Sequence, residues 1–92
     1  MDRTFQRNPR VEGAPLNEEA ILLDPATSKF FMLNHTSSFI WERLSAPATA
    51  ESLASEICRC YDNVAPADAL KDVRAALDEM LSLELVVASD AA

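Results

Sequence analysis

Glycine, cysteine and histidine are scarce in this chain of 92 residues, which contains one, two and one of them respectively. A phosphate-binding loop needs several closely spaced glycines so that the backbone can approach the phosphate, and Gly13 is the only glycine. On a helix, Cys58 and Cys60 would point about 200° apart, so they can neither form a disulfide nor chelate one metal ion together. With His35 as the only histidine, we expect the chain to hold no metal and no cofactor.

Long apolar runs are also missing, since none approaches the roughly 20 residues of a membrane-spanning helix. Residues 1–5 lack the apolar core of a signal peptide. We therefore expect a soluble, cytoplasmic protein that does not associate with membranes.

The groups suited to catalysis are not spaced as a catalytic site requires. No serine, cysteine or carboxylate has a second base at a spacing that indicates a shared site. The adjacent carboxylates Glu18 and Glu19, and likewise Asp78 and Glu79, would point in different directions on a strand or a helix. These patterns predict that the protein is not an enzyme.

Basic residues are outnumbered, with 8 lysines and arginines against 15 aspartates and glutamates. Arg3, Arg7 and Arg10 all lie near the start of the chain, so the remainder is more acidic than the total indicates. Because a negative surface repels phosphate, we expect no nucleic-acid partner. A basic or amphipathic peptide is a better electrostatic match.

Apolar residues make up 49% of the chain, which at this length is enough for one compact domain but not for two. We divide the chain into a flexible segment over residues 1–9, a domain over residues 10–87 and a tail over residues 88–92. Residues 10–12 predict a short edge strand that ends at the break formed by Gly13, Ala14 and Pro15.

Two short apolar runs, residues 19–23 and 29–33, flank a turn-forming segment and predict a β-hairpin. The two-residue period of a strand lets one face be buried, and we assign to that face Ile21, Leu23, Phe31 and Leu33. Phe30 and Met32 then lie on the opposite face. They belong there to a peptide-binding surface, to the core or to a homodimer interface.

Three amphipathic helices are predicted after the hairpin, over residues 35–44, 50–61 and 66–81. Asn34 and Thr49 are suitable N-cap residues, and the fixed φ of Pro66 suits a first helical turn. Residues 83–87 fit either a helix end or a short strand. Strands followed by helices indicate a small α+β domain.

The strand at residues 29–33 and the helix at residues 68–81 form a pair that a peptide can use. An extended peptide adds to a strand edge through main-chain hydrogen bonds, while its alternate side chains enter a groove beside the helix. Small Ala69 and Ala76 would leave space in that groove, and Asp72 would meet a basic group at its rim.

Several short motifs follow one another along residues 9–87. They are Ala20-Ile21-Leu22-Leu23-Asp24, Phe31-Met32-Leu33-Asn34-His35-Thr36, Ile40-Trp41-Glu42-Arg43-Leu44, Tyr61-Asp62, and the pair Leu77 and Leu81. In this order they resemble the PqqD family. The resemblance implies a three-stranded antiparallel sheet followed by a three-helix bundle, related to winged helix-turn-helix domains.

The resemblance also implies a function, since family members bind the leader of a ribosomally made precursor peptide and hand it to a modifying enzyme. The leader is expected against the third strand and third helix of the family fold. Lasso-peptide and other leader-binding proteins share this architecture, so the product need not be a quinone cofactor. The expected peptide-binding residues are Lys29, Phe30, Phe31, Met32, Leu33, Ala69, Asp72, Val73, Ala76, Leu77 and Met80.

A winged-helix-like transcription regulator or antitoxin would share much of this fold, and a purely structural enzyme subunit is a third hypothesis. Charge separates the regulator from the peptide binder, because insertion into a DNA groove requires a basic helix face. The third helix instead carries four acidic side chains and two basic ones: Asp68, Asp72, Asp78 and Glu79 against Lys71 and Arg74.

We predict negligible affinity for duplex DNA at physiological salt, because a body this acidic gains little from the release of counterions. Fluorescence anisotropy with labelled duplexes measures this affinity. A sequence-specific footprint at low protein concentration would instead favour the transcription regulator.

Overall fold

The computed structural model describes residues 3–16 and 19–90, which form an α+β domain with three helices and two three-stranded antiparallel sheets. The α+β class expected from the sequence is thereby confirmed. The strands are β1 (Arg3–Arg7), β2 (Glu12–Leu16), β3 (Glu19–Asp24), β4 (Lys29–Leu33), β5 (Ala48–Thr49) and β6 (Val86–Asp90). The helices are α1 (His35–Arg43), α2 (Ala50–Cys60) and α3 (Pro66–Ser82).

One sheet joins the two ends of the described chain, in the order β5-β1-β6. Thr4 of β1 lies opposite Thr49 on one side and Ser89 on the other. Two expectations change here: β1 is a paired strand inside the segment predicted to be flexible, and β6 extends into the predicted tail. Residues 1, 2, 91 and 92, which belong to those two segments, lie outside the described residues.

The predicted order of strands followed by helices is not the one that the chain adopts, because β5 lies between α1 and α2 and β6 follows α3. The choice left open for residues 83–87 resolves into a turn followed by the start of β6 at Val86. These strands pair with β1, which is distant in sequence, so no local pattern marks them.

The second sheet has the order β2-β3-β4 and contains the predicted hairpin. Residues 25–28 form its turn, where Ser28 has a positive φ of 58°. In the described part of the chain, β4 pairs with β3 alone and is the edge of this sheet.

Gly13 lies within β2 rather than at a break after a strand, so the predicted interruption is wrong. A Cβ atom on this residue would lie 2.7 Å from Nε1 of Trp41 and 3.0 Å from Cδ2 of Leu22. Both neighbouring side chains are buried and have little room to move. Glycine is therefore required because the indole ring packs directly on the strand.

The three predicted helices are confirmed within a few residues, and their caps explain where they begin. The side-chain oxygen of Asn34 accepts a hydrogen bond from the backbone N–H of Ser37, at 2.8 Å. Thr49 accepts one from the N–H of Ser52 at 3.1 Å, and Pro66 stands in the first turn of α3.

The core lies where one face of α3 packs against α1, α2 and β6. This face consists of Ala69, Val73, Leu77 and Met80, all of which are buried. The rest of the core is mainly aliphatic with one indole, and it includes Leu22, Leu33, Ile40, Trp41, Leu44, Leu53, Ile57, Leu85 and Val86.

A buried carboxylate in the hairpin is hydrogen-bonded to an arginine in the segment between β1 and β2. Asp24 is only 3% exposed, and it accepts two hydrogen bonds from the Arg10 guanidinium, both of 3.1 Å, and one from the N–H of Ala26. Burial alone would raise the pKa of the Asp24 carboxyl, but these hydrogen bonds and the charge of Arg10 outweigh it, and the pKa is lowered.

We predict that this pair makes stability depend on pH in the acid range. Because the pKa of Asp24 is lower in the folded state, its contribution is present above the unfolded-state value of about 3.9 and is lost as pH falls through the folded value. Arg10→Gln should therefore lower the urea midpoint more at pH 7 than at pH 3. Arg59→Gln, which removes an exposed partner of Glu56, is the control and should have little effect at either pH.

Candidate functional site

The pairing of β3 with β4 determines which hairpin side chains face the core. Leu22 lies opposite Phe31 and is completely buried, whereas Ile21 lies opposite Met32 and Leu23 opposite Phe30. The assignment of Ile21 and Leu23 to the buried face is therefore wrong. Apolar residues occupy both phases of β3, so the two-residue period alone could not choose between them.

The apolar surface that points away from the core is therefore larger than expected, because Ile21 and Leu23 belong to it. We call it the outer face, and it consists of Ile21, Leu23, Phe30 and Met32. The side chains of Phe30 and Met32 are 71% and 68% exposed, and those of Ile21 and Leu23 are half-buried. An apolar group of this kind on the surface of a small acidic protein indicates an interaction site.

A groove of about 320 Å³ lies between β4 and the C-terminal end of α3. We call it the edge groove. At a sheet edge, alternate N–H and C=O groups point away from the neighbouring strand, so β4 offers unpaired backbone groups beside this groove. Its lining residues are Phe30, Phe31, Met32, Leu33, Asn34, Ser37, Glu79, Met80, Leu83 and Leu85.

Five of the expected peptide-binding residues thus line the edge groove: Phe30, Phe31, Met32, Leu33 and Met80. Lys29 is exposed at the turn end of β4 and does not line the groove.

The other expected residues on α3 are placed elsewhere. Ala69, Val73 and Leu77 are buried in the core and do not line the edge groove, although Ala69 is part of the wall of a different pocket. Ala76 is half-buried and packs against the core, and Asp72 lines a different pocket. The helical period showed which face of α3 is apolar, but the core itself uses that face.

The residues that sequence analysis missed lie where elements end. Leu83 is 39% exposed and follows the last residue of α3, while Asn34 and Ser37 lie at the start of α1. Leu83 stands three residues after Met80, so a continued helical period would have been a signal for it. No sequence signal shows that β4 approaches this end of the helix.

A second pocket, of about 350 Å³, lies beside α1 and the first half of α3. We call it the aromatic pocket, because the rings of His35, Phe39 and Tyr61 are among its walls. The Nε2 atom of His35 lies 2.6 Å from the Tyr61 hydroxyl oxygen. Asp62 and Asp72 contribute two carboxylates to the lining.

Within residues 3–16 and 19–90, few side chains are suited to chemistry other than binding. Within these ranges, no three His, Cys, Asp or Glu side chains lie together so that they could hold a metal ion. Cys58 and Cys60 are both free thiols. Asp78 and Glu79 line different pockets, as expected of helix neighbours, and Glu18 lies outside the described residues.

None of the helices in the described ranges is long and apolar enough to cross a membrane.

Comparison with known proteins gives the family. The model of the family described as Coenzyme PQQ synthesis protein D (PqqD) matches residues 19–86, which is most of the chain. The chain belongs to the PqqD family. No curated protein matches this PqqD-family chain.

Two solved structures resemble the PqqD-family chain. The one named TbiB1 in complex with the TbiA(beta) leader peptide has a TM-score of 0.80 and 27% identity, and the match covers 88% of this chain and 93% of that one. The other is lasso peptide synthetase B1 complexed with the leader peptide, with a TM-score of 0.76 and 22% identity, over 90% and 96% of the two chains. The second likeness shows the fold alone.

The PqqD match covers every residue that lines the edge groove and the aromatic pocket, whereas β1, β2 and most of β6 lie outside it.

We predict that stability separates the core face of α3 from the edge groove. Leu77→Ala should lower the free energy of unfolding by about 2 to 5 kcal/mol, because it leaves a cavity in the packed core. Leu83→Ala should lower it by less than about 1 kcal/mol, since this side chain is partly exposed. Urea denaturation of the two variants measures both values. Equal losses would mean that Leu83 belongs to the core.

Proposed function

We propose that this PqqD-family chain binds the leader of a ribosomally made precursor peptide in the edge groove and presents it to a modifying enzyme. The observation that carries the proposal is the open edge of β4 beside the edge groove, whose lining combines apolar side chains with Asn34, Ser37 and Glu79. The resemblance to TbiB1, which was solved with a leader peptide, supports it.

The geometry indicates how the leader would be held. A segment of about five residues would extend the sheet beyond β4 and pair with its free backbone groups. Every second side chain of the leader segment would enter the groove against Met80 and Leu83. The side chains between them would lie on the opposite face, beside Phe30 and Met32. Such a segment is therefore expected to be apolar on both faces.

The outer face is the surface that we propose for the modifying enzyme. It adjoins the edge groove through Phe30 and Met32, so an enzyme seated there would contact the added peptide strand as well. A second copy of the chain is the alternative occupant, which would make a homodimer. The role proposed for this chain is recognition without catalysis, in the cytoplasm.

We also propose that the fold is winged helix-turn-helix-like, as the PqqD family implies. No observation favours the function of a DNA-binding regulator, because the acidic residues Asp68, Asp72, Asp78 and Glu79 are all exposed on α3.

We predict that backbone methylation of the cognate leader separates strand pairing from contact through side chains alone. In a strand added to β4, the N–H groups of alternate residues face β4. N-methylation at those positions should weaken binding by about tenfold or more each, since it removes a hydrogen bond and introduces a clash. N-methylation at the intervening positions is the matched control, and calorimetric titration measures both sets.

Two protein variants locate the segment in the same titrations. Leu83→Glu places a charge in the edge groove and should abolish binding, whereas Ser82→Glu adds the same charge to a neighbour outside the groove lining. Equal affinities for both sets of methylated peptides would contradict main-chain pairing. Unchanged affinity for Leu83→Glu would place the leader elsewhere.

A further inference from the structure

The aromatic pocket and the edge groove lie on the two sides of the first turn of α1. Asn34 and Ser37 line the edge groove, whereas His35 and Thr36 line the aromatic pocket. An α-helix with its side chains is about 10 to 12 Å across. A peptide chain that passes the Leu33 end of β4 would therefore reach the pocket within roughly two to four extended residues.

The aromatic walls of the pocket contact one another. The ring of Tyr61 contacts the ring of His35 edge-on, with centroids 5.4 Å apart, in addition to the hydrogen-bond contact at its hydroxyl. The ring of Phe39 also packs against Tyr61, with centroids 5.7 Å apart. Tyr61 nevertheless remains 36% exposed, so part of its surface is available to a ligand.

The charge of the pocket is negative. Asp62 and Asp72 are exposed, and within residues 3–16 and 19–90 neither of them takes part in an ion pair. The described residues that line the pocket include no lysine or arginine. Arg43 lies nearby over the Phe39 ring, but Glu56 neutralises it at 3.0 Å.

These walls and charges define one ligand chemistry. Lysine and arginine have an apolar stem that packs on aromatic and aliphatic surfaces, and a cationic head that binds carboxylates and aromatic rings. Ile57 and Val64 supply the aliphatic part of the lining, and Asp62 and Asp72 supply the acceptors. The volume of about 350 Å³ is large enough for one such side chain.

We propose that the aromatic pocket binds an arginine or lysine side chain of the leader, a few residues beyond the segment held at β4. This inference rests on the proposed function, and it adds a second determinant to it. A leader recognised by this chain would then combine an extended apolar segment with a basic residue next to it.

The pocket can be tested with small probes that do not depend on the leader. N-acetyl-arginine amide and N-acetyl-citrulline amide have nearly the same shape, but only the first carries a charge. Titrated into the ¹⁵N-labelled protein, the arginine probe should shift the amide signals of Tyr61, Asp62 and Asp72 to saturation, and the citrulline probe should bind about three- to tenfold more weakly. Equal shifts with both probes would overturn the charge recognition.

Charge variants on α3 provide the matched comparison. Asp72→Asn should weaken binding of the arginine probe about three- to tenfold, as expected for a cation that loses one carboxylate partner. Asp78→Asn makes the same change on the same helix, but Asp78 lines a separate pocket and its loss should leave the affinity unchanged. Similar losses in the two variants would indicate a general effect of net charge and contradict the site.

The leader itself provides a third comparison. Replacing its flanking basic residue with citrulline should lower affinity about three- to tenfold for the parent protein and have little further effect in Asp72→Asn. If citrulline leaves affinity unchanged while Leu83→Glu still abolishes binding, the basic residue does not come from the leader, and this inference fails although the proposed function holds. If Leu83→Glu also binds normally, the proposed function fails.

Discussion

One face of α3, formed by Ala69, Val73, Leu77 and Met80, is buried against α1, α2 and β6, and this packing places the other elements. A domain of this size has one small core, so a helix of 17 residues must commit a whole face to it. The surface left for binding is then found at the end of the helix. Leu83 and Glu79 reach the solvent there, beside β4.

The edge groove forms only if the hairpin of β3 and β4 is held close to the C-terminal end of α3. Trp41 packs on β2 because residue 13 is glycine, and Asp24 is joined to Arg10 through a buried fork of two hydrogen bonds. Neither contact uses a residue of β4 itself. The edge strand is consequently positioned by its neighbours while its own outer backbone groups remain available.

Features that depend on nearby residues could be predicted from the sequence, including the hairpin, the caps at Asn34 and Thr49 and the extent of each helix. Features that depend on distant pairing could not. The strand β1 is short and charged at both ends, and its partners β5 and β6 lie far along the chain. The phase of β3 was also missed, because Ile21, Leu22 and Leu23 are apolar in either phase.

The same distinction applies to recognition. Apolar periodicity located β4 correctly as a strand, but on α3 it selected Val73 and Leu77, which the core buries, since it cannot tell an apolar face that is buried from one that is free. Pairing with a strand edge uses backbone groups that every peptide has, so it supplies affinity with little selectivity. Selectivity must come from side-chain contacts. The first turn of α1, which separates the edge groove from the acidic aromatic pocket, brings two different kinds of contact within reach of one short peptide.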